Sequence, residues 1–231
     1  MLERAKEIIA DIAAKTDGVI LMHSLSGKDS IALLDLLYPN FKSIVCAHMY
    51  VVKGLDHIAK YQSWAQRKYP GVQFVQCPHY AWYNYRKNGF MGMEADPTQR
   101  EWRLSDIVDK VREATGLDWC CMGFKQSDSL NRRLMLRSYK DGKESISWKG
   151  RKFYPLSTYL NADVLDYIRA NNLKEPESYG EVSQSSGTDI TSREYLMYLR
   201  QNFPNDLERV NAEFPMTKFL IPGTDTTDKQ Q

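Results

Sequence analysis

Apolar and polar positions follow two periods along the chain. From Leu2 to Lys15 the apolar residues recur at helical spacing, and "GVILMHS" follows as an unbroken apolar run, as in a strand covered on both faces. Residues 29–37 return to helical spacing and stop at Pro39. "KSIVCAHMYVV" predicts a second strand, "LDHIAKYQSWAQRKY" a helix ended by Pro70-Gly71, and "VQFVQCP" a third strand. The helical run "TQREWRLSDIVDKVREATG" closes on Gly116, a C-cap glycine by position, before a fourth strand in "LDWCCMGF". Strand–helix–strand alternation with continuous apolar strands predicts an α/β fold. The sheet is Rossmann-like and mostly parallel, with helices on both faces.

After Phe124 the pattern changes. "KQSDSLNRRLMLRSY" is polar and then helical, and "ESISWKGRKFYPL" reads as two short strands around Lys149-Gly150, a hairpin. "NADVLDYIRANN" has helical spacing with Asn161 as its cap, and one or two more helices run from Ser192 to about Phe214, forming a C-terminal helical subregion. Between the third strand and the next helix, "HYAWYNYRKNGFMGM" is too long and aromatic for a simple turn; it reads as a loop that contacts a second substrate. Aromatics interleaved with bases stack nucleobases, or form the underside of a folded loop. No repeat or linker divides the chain, so residues 1–221 form a single domain, followed by a polar, disordered tail at 222–231.

Composition narrows the class. The net charge is +2 over 231 residues, so no global field argues for nucleic acid or an anionic membrane. No apolar run reaches the roughly 20 residues that span a bilayer, and "MLERAKEIIADIAAK" lacks a signal-peptide centre. Cys46, Cys77, Cys120 and Cys121 form no CxxC pair and sit in or beside strand-like runs, as reduced, mostly buried thiols of a cytoplasmic protein. The four histidines lack zinc spacing, and His23 stands beside the first loop.

That loop, "SLSGKDS", carries the candidate chemistry. It lies at the carboxyl end of the first strand, where open parallel sheets bind ligands, and it opens a helix whose free amides attract phosphate. Gly27 lets the backbone approach, Ser24, Ser26 and Ser30 donate hydrogen bonds, and Lys28 adds charge. Asp29 would repel phosphate, so it serves to hold Mg²⁺ or to cap the turn. Helix capping alone explains one hydroxyl, not three with a glycine and a lysine. A Walker loop is excluded, because Asp29 follows Gly27-Lys28 and no glycine stands five positions earlier.

"SLSGKDSIALL" resembles the PP-loop, Ser-Gly-Gly-x-Asp-Ser, of the ATP pyrophosphatase (adenine nucleotide alpha-hydrolase) superfamily. Gly27, Lys28, Asp29 and Ser30 match, while Leu25 and Ser26 replace the first Ser and Gly. "MGFKQSDSLNRR" resembles the Gly-x-Arg-x-x-(Asp/Glu)-Ser-x-x-Arg segment of the phosphoadenosine phosphosulfate (PAPS) reductase branch. Gly123, Ser129 and Arg132 match, and Lys125 stands where Arg is usual. "FYPLSTYLNADVLDYIRANNLKEPESYG" extends the resemblance, which covers roughly residues 17–190.

The resemblance implies an adenine nucleotide in the site. Ser24, Ser26, Gly27, Lys28, Ser30, Gly123, Lys125 and Ser129 would bind it, and His48, Met49 and Tyr50 would touch the adenine, chiefly through backbone. Lys28, Asp29, Ser30 and Arg132 would act in catalysis, with ATP and Mg²⁺ as cofactors and Asp29 as the metal ligand. Arg133, beside Arg132, reads as part of a solvated face. Adjacent Cys120 and Cys121 point to opposite faces of a strand. Where some sulfonucleotide reductases show a later CxxC, this chain reads "SQSSGTDIT", and no cysteine follows Cys121. The expectation is therefore no iron–sulfur cluster and no reductase thiol. The implied activity is cleavage of ATP at the α-phosphate with release of pyrophosphate, activating an acceptor for sulfur transfer. Expected partners are a nucleic acid or small-molecule acceptor, a sulfur-donor protein and a second copy of the chain, with no membrane. Two alternatives stay open: a PAPS- or APS-binding protein without its own thiol, and a non-catalytic nucleotide-binding subunit.

Overall fold

The structure, a computed structural model, describes residues 1–23, 26–176 and 189–221. Ser24, the stretch 183–188 of "SQSSGTDIT" and the tail 222–231 lie outside the described residues. Helix α1 (Glu3–Ala13) leads into β1 (Gly18–His23), all six residues of which are buried. There follow α2 (Lys28–Leu37), β2 (Ser43–Tyr50), α3 (Asp56–Lys68) and β3 (Gln73–Pro78). Then come α4 (Tyr80–Asn88), α5 (Leu104–Thr115), β4 (Cys120–Met122) and α6 (Leu130–Arg137). The hairpin β5 (Ile146–Ser147) and β6 (Lys152–Phe153) precedes α7 (Asn161–Ala170), α8 (Arg193–Asn202) and α9 (Pro204–Glu213).

The six strands described form one sheet in the order β3-β2-β1-β4-β6-β5. All pairs are parallel except β5 with β6 at the edge. Alternation along β1 divides the core. Val19 and Leu21 pack with Ile8, Ile9 and Ile12 of α1 and with the apolar side chains of α2. Ile20 and Met22 pack on the other face with Ile107, Val108 and Val111 of α5. Cys121 joins the first cluster and Cys120 the second, so the adjacent cysteines do take opposite faces. The C-terminal helices cover the first face, where Asp35 of α2 accepts hydrogen bonds from the Tyr69 and Tyr167 hydroxyls at 2.8 and 2.7 Å.

The α/β class, the parallel sheet, the hairpin and the Gly116 cap are as the sequence predicts. Three local expectations are corrected. Residues 80–88 form a helix, capped by His79, whose Nδ1 accepts from the Ala81 amide at 3.1 Å, and ended by Gly89 at φ 65°. Helix α5 starts at Leu104, because the Arg103 amide donates to Asp106 Oδ2 at 2.7 Å and fixes the start there. Asn161 is the first residue of α7; Leu160 precedes it, its amide bound by Asp163 Oδ2 at 2.7 Å.

Candidate functional site

Strand β1 ends at His23 with β2 on one side and β4 on the other, so strand order reverses between β1 and β4. The crevice beyond that point is where open parallel sheets take ligands. Gly27 leads into α2 with extended backbone (φ −83°, ψ 136°) and, as the N-cap, brings no side chain to the helix start. The first intrahelical bond runs from the Ile31 amide to the Gly27 carbonyl at 3.1 Å. The amides of Lys28, Asp29 and Ser30 precede it and carry the positive end of the helix dipole into the crevice. Ser26, Lys28 and Ser30 are buried.

Across the crevice β4 gives way to Gly123, where an added Cβ would stand 2.8 Å from the Asp29 Cβ. The first turn of α2 therefore lies directly on this backbone. Asp29 bridges two lysines: Oδ2 lies 3.1 Å from Lys28 Nζ and Oδ1 2.8 Å from Lys125 Nζ. Lys125 also lies 3.2 Å from Asp128 Oδ1, and its amide donates to Asp128 Oδ2 at 2.9 Å. Arg132 Nη1 closes the series, 2.7 Å from Asp128 Oδ2, with its guanidinium 4.1 Å from the centre of the Phe124 ring. The order Lys28, Asp29, Lys125, Asp128, Arg132 alternates charge across the crevice and leaves one net positive charge. The Lys28 and Lys125 side chains are 4% and 1% exposed, against 23% for Asp29. Burial alone would raise the Asp128 pKa, but the Lys125 amide and ammonium and the Arg132 guanidinium outweigh it and hold the carboxyl below its ordinary value. Breaking a buried pair by deleting one partner costs about 3–5 kcal/mol, so this geometry is strongly fixed.

The remaining residues named from the sequence divide. Ser129 caps α6, accepting the Arg132 amide at 3.2 Å. Arg133 and Arg137 bind the Gln126 carbonyl and Oε1 at 3.2 and 3.1 Å, bracing the segment after β4. His48, paired in register with His23 across β1 and β2, is buried, and burial pushes its pKa down to about 4, so the ring is neutral. It lines a small pocket of about 70 Å³ with Val52, Gly54, Leu55, Ile58, Ala59 and Gln76. Met49 and Tyr50 are partly exposed beside it, and the Tyr50 carbonyl already accepts the His79 amide at 2.8 Å.

Helix α4 leaves β3 at the same edge, with none of its residues fully buried. Tyr83 stacks on Trp102 at 4.2 Å and 13°, the Arg100 guanidinium lies 4.1 Å from the centre of the Trp102 ring, and Arg86 lies 5.7 Å from that of Trp82. Asn84 exchanges two hydrogen bonds with the Trp102 backbone, at 3.1 and 3.0 Å, which holds the stack in place. Sequence reasoning missed Asp128, whose spacing of three and four residues from Lys125 and Arg132 was the available signal. It also missed the buried network of Asp206, His57 and Tyr195, which has no local signal at all.

No family profile matches the chain, and no curated protein matches it. Among solved structures it is similar to the U34-tRNA thiolase NcsA from Methanococcus maripaludis, with its [4Fe-4S] cluster. The identity is 18%, covering 95% of this chain and 77% of that one, at a TM-score of 0.51. It is also similar to the NH3-dependent NAD synthetase from Campylobacter jejuni subsp. jejuni NCTC 11168, in complex with the nitrate ion. There the identity is 11%, covering 95% and 96%, at a TM-score of 0.48. At this identity the likeness to NcsA is one of fold, and the resemblance read from the loop is upheld as one of fold. One expectation is corrected by this comparison. NcsA carries an iron–sulfur cluster, so the fold does not exclude one, and the argument from cysteine placement fails as an exclusion. The opposite faces of Cys120 and Cys121 rule out only that pair as joint ligands. Among the described residues no group of three or more His, Cys, Asp or Glu is placed to hold a metal, and no helix is long and apolar enough to cross a membrane.

Proposed function

We propose that the chain is an ATP-using enzyme of the PP-loop type that cleaves ATP between its α- and β-phosphates and passes the adenylyl group to an acceptor. One observation carries this reading: the start of α2 faces Lys125 and Arg132 across the point where strand order reverses. The acceptor's nucleophile attacks the α-phosphorus, the bond to the bridging oxygen breaks, and the electron pair leaves on pyrophosphate. The amides of residues 28–30 with Lys28, Lys125 and Arg132 meet that growing charge, each such donor being worth roughly 3 kcal/mol in a transition state. Asp29 positions both lysines. The Tyr83–Trp102 stack with Arg86 and Arg100 offers a surface for a base-bearing acceptor. The thiolase activity of NcsA is in keeping with a nucleic acid acceptor and sulfur transfer.

Magnesium enters with ATP as part of the substrate. Lys28 bonds Asp29 Oδ2 at 3.1 Å, while the buried Oδ1, 2.8 Å from Lys125 Nζ, accepts no hydrogen bond, so Asp29 would hold the ion through that oxygen, and no step is routed through it. A reductase reading needs a thiolate. Burial pushes the thiols of Cys46, Cys120 and Cys121 up, Cys120 to about 12, and it raises the partly exposed Cys77 to about 11. Incubation with ATP labelled at the α-phosphate is the test. The expected products are pyrophosphate with AMP or an adenylated acceptor. ADP and phosphate would contradict the proposal, and binding without turnover under all acceptors would leave a nucleotide-binding subunit.

A further inference from the structure

We infer that Asp128 is a positioning residue that aims Lys125 and Arg132 at the polyphosphate and takes up part of their charge, so that the site can release pyrophosphate as well as bind it. The inference rests on the nucleotide reading above and adds which side chain sets the strength of the hold. Asp128 engages both cations. Its Oδ2 accepts from the Lys125 amide at 2.9 Å and from Arg132 Nη1 at 2.7 Å, and its Oδ1 lies 3.2 Å from Lys125 Nζ. The backbone around it closes into a turn. The Asp128 amide donates back to the Lys125 carbonyl at 3.1 Å, and Ser129 Oγ accepts the Arg132 amide at 3.2 Å. One carboxylate thus fixes both cations to a single turn after β4.

The two acids of the crevice divide their work. Asp29 has a buried oxygen, Oδ1, that accepts no hydrogen bond and is left for an ion, whereas Asp128 is given over to the cations. The Arg132 side chain is 41% exposed against 17% for Asp128, so a ligand arriving from solvent meets the guanidinium more readily than the carboxylate. Burial alone would raise the Asp128 pKa, yet Lys125 and Arg132 outweigh it and keep the group ionised at neutral pH. With Asp128 charged, the series from Lys28 to Arg132 carries one net positive charge; with it neutral, the series would carry two. Charges a few ångströms apart and shielded from bulk water interact strongly, so that one step alters the grip on a multiply charged anion by about fivefold or more. Cations that grip the product as firmly as the transition state delay its departure, and product release limits turnover in many enzymes. An acid among the cations relieves that grip without touching the phosphates itself.

The experiment is calorimetric titration with pyrophosphate, in buffer with Mg²⁺, of the parent protein, Asp128→Asn and Asp128→Glu. Asn keeps the shape and a carbonyl oxygen for the Lys125 amide but no charge, and Glu keeps the charge. Asp128→Asn should bind pyrophosphate about fivefold or more tightly than the parent, and Asp128→Glu should stay within about threefold of it. An acid that only braces the fold gives the opposite result, a loss of affinity in both variants. Equal or weaker binding by a folded Asp128→Asn would overturn the inference while leaving the nucleotide site standing. Tightening in Asp128→Glu as large as that in Asp128→Asn would also overturn it. Absence of pyrophosphate binding by the parent would overturn the nucleotide reading and this inference together. If Asp128→Asn does not fold, a crystal structure of the parent with pyrophosphate decides the matter. Lys125 and Arg132 should both reach phosphate oxygens while remaining on Asp128, and separation of either from Asp128 would overturn the inference.

Discussion

Gly123 shows how much the site depends on a missing side chain. Its neighbour across the crevice is the Asp29 Cβ, 2.8 Å from where its own Cβ would be, with Leu33 Cδ1 at 3.6 Å behind. Helix backbone cannot swing aside as a flexible side chain does, so Gly123→Ala pushes the first turn of α2 away from Lys125. We expect a stability loss of about 1–3 kcal/mol, typical of overpacking. Nucleotide affinity should fall about tenfold or more, since misplaced donors lose their charge-assisted contacts. Thermal melting and calorimetry measure both, and parental values in both would contradict the account. Gly27 differs. Its backbone lies in the extended region open to any residue, so its conformation does not require glycine. The motif made Gly123, Lys125 and Arg132 legible in the sequence as residues of one region. It did not reveal that Gly123 serves packing, that Ser129 serves as a helix cap, or that Asp128 joins the two cations. Those roles depend on contacts set by how α2 and α6 approach each other.

At the scale of elements, the strands and most of the helices were legible, and α4 was not. Helix α4 has no buried residue, so it prints no helical period in hydrophobicity; only its ends, His79 and Gly89, carry a signal. The docking of the C-terminal helices was equally silent. Asp206 of α9 is fully buried at the start of α3, where it accepts from the amides of Asp56 and His57 at 2.8 and 2.9 Å and meets His57 Nδ1 at 2.8 Å. The Tyr195 hydroxyl of α8 completes the network at His57 Nε2, 3.2 Å away. Asp206→Ala should cost about 3 kcal/mol or more in denaturant unfolding, the cost of opening a buried pair. A loss below about 1 kcal/mol would mean that the network does not hold the helices on the core. Acid should act in the same direction. Burial lowers the pKa of both His57 and His48, His48 to about 4. A group with a depressed folded pKa gives stability that is present above its unfolded pKa and lost as pH falls. The decline therefore begins near the ordinary histidine value of about 6.5, at up to about 1.4 kcal/mol per pH unit for each proton.

For the whole molecule, the alternation of strands and helices was enough to predict the sheet, because strands buried on both faces leave little choice of architecture. The order of the strands then places the site without further information: β1 has neighbours on both sides, and the chain returns to pair β4 with it only after β2 and β3 are laid down. That return brings Lys125 and Arg132 opposite the start of α2, about a hundred residues earlier in the sequence. What the order of strands does not specify is the acceptor, which depends on surfaces such as the Tyr83–Trp102 stack. The central claim is that this crevice is a polyphosphate site, and a crystal structure of the protein with α,β-methylene ATP tests it most directly. The account predicts the β- and γ-phosphates within hydrogen-bond distance of the amides of residues 28–30, with Lys125 Nζ turned from Asp29 toward a phosphate oxygen. A nucleotide bound elsewhere, with the Asp29–Lys125 pair intact and the start of α2 bare, would contradict it.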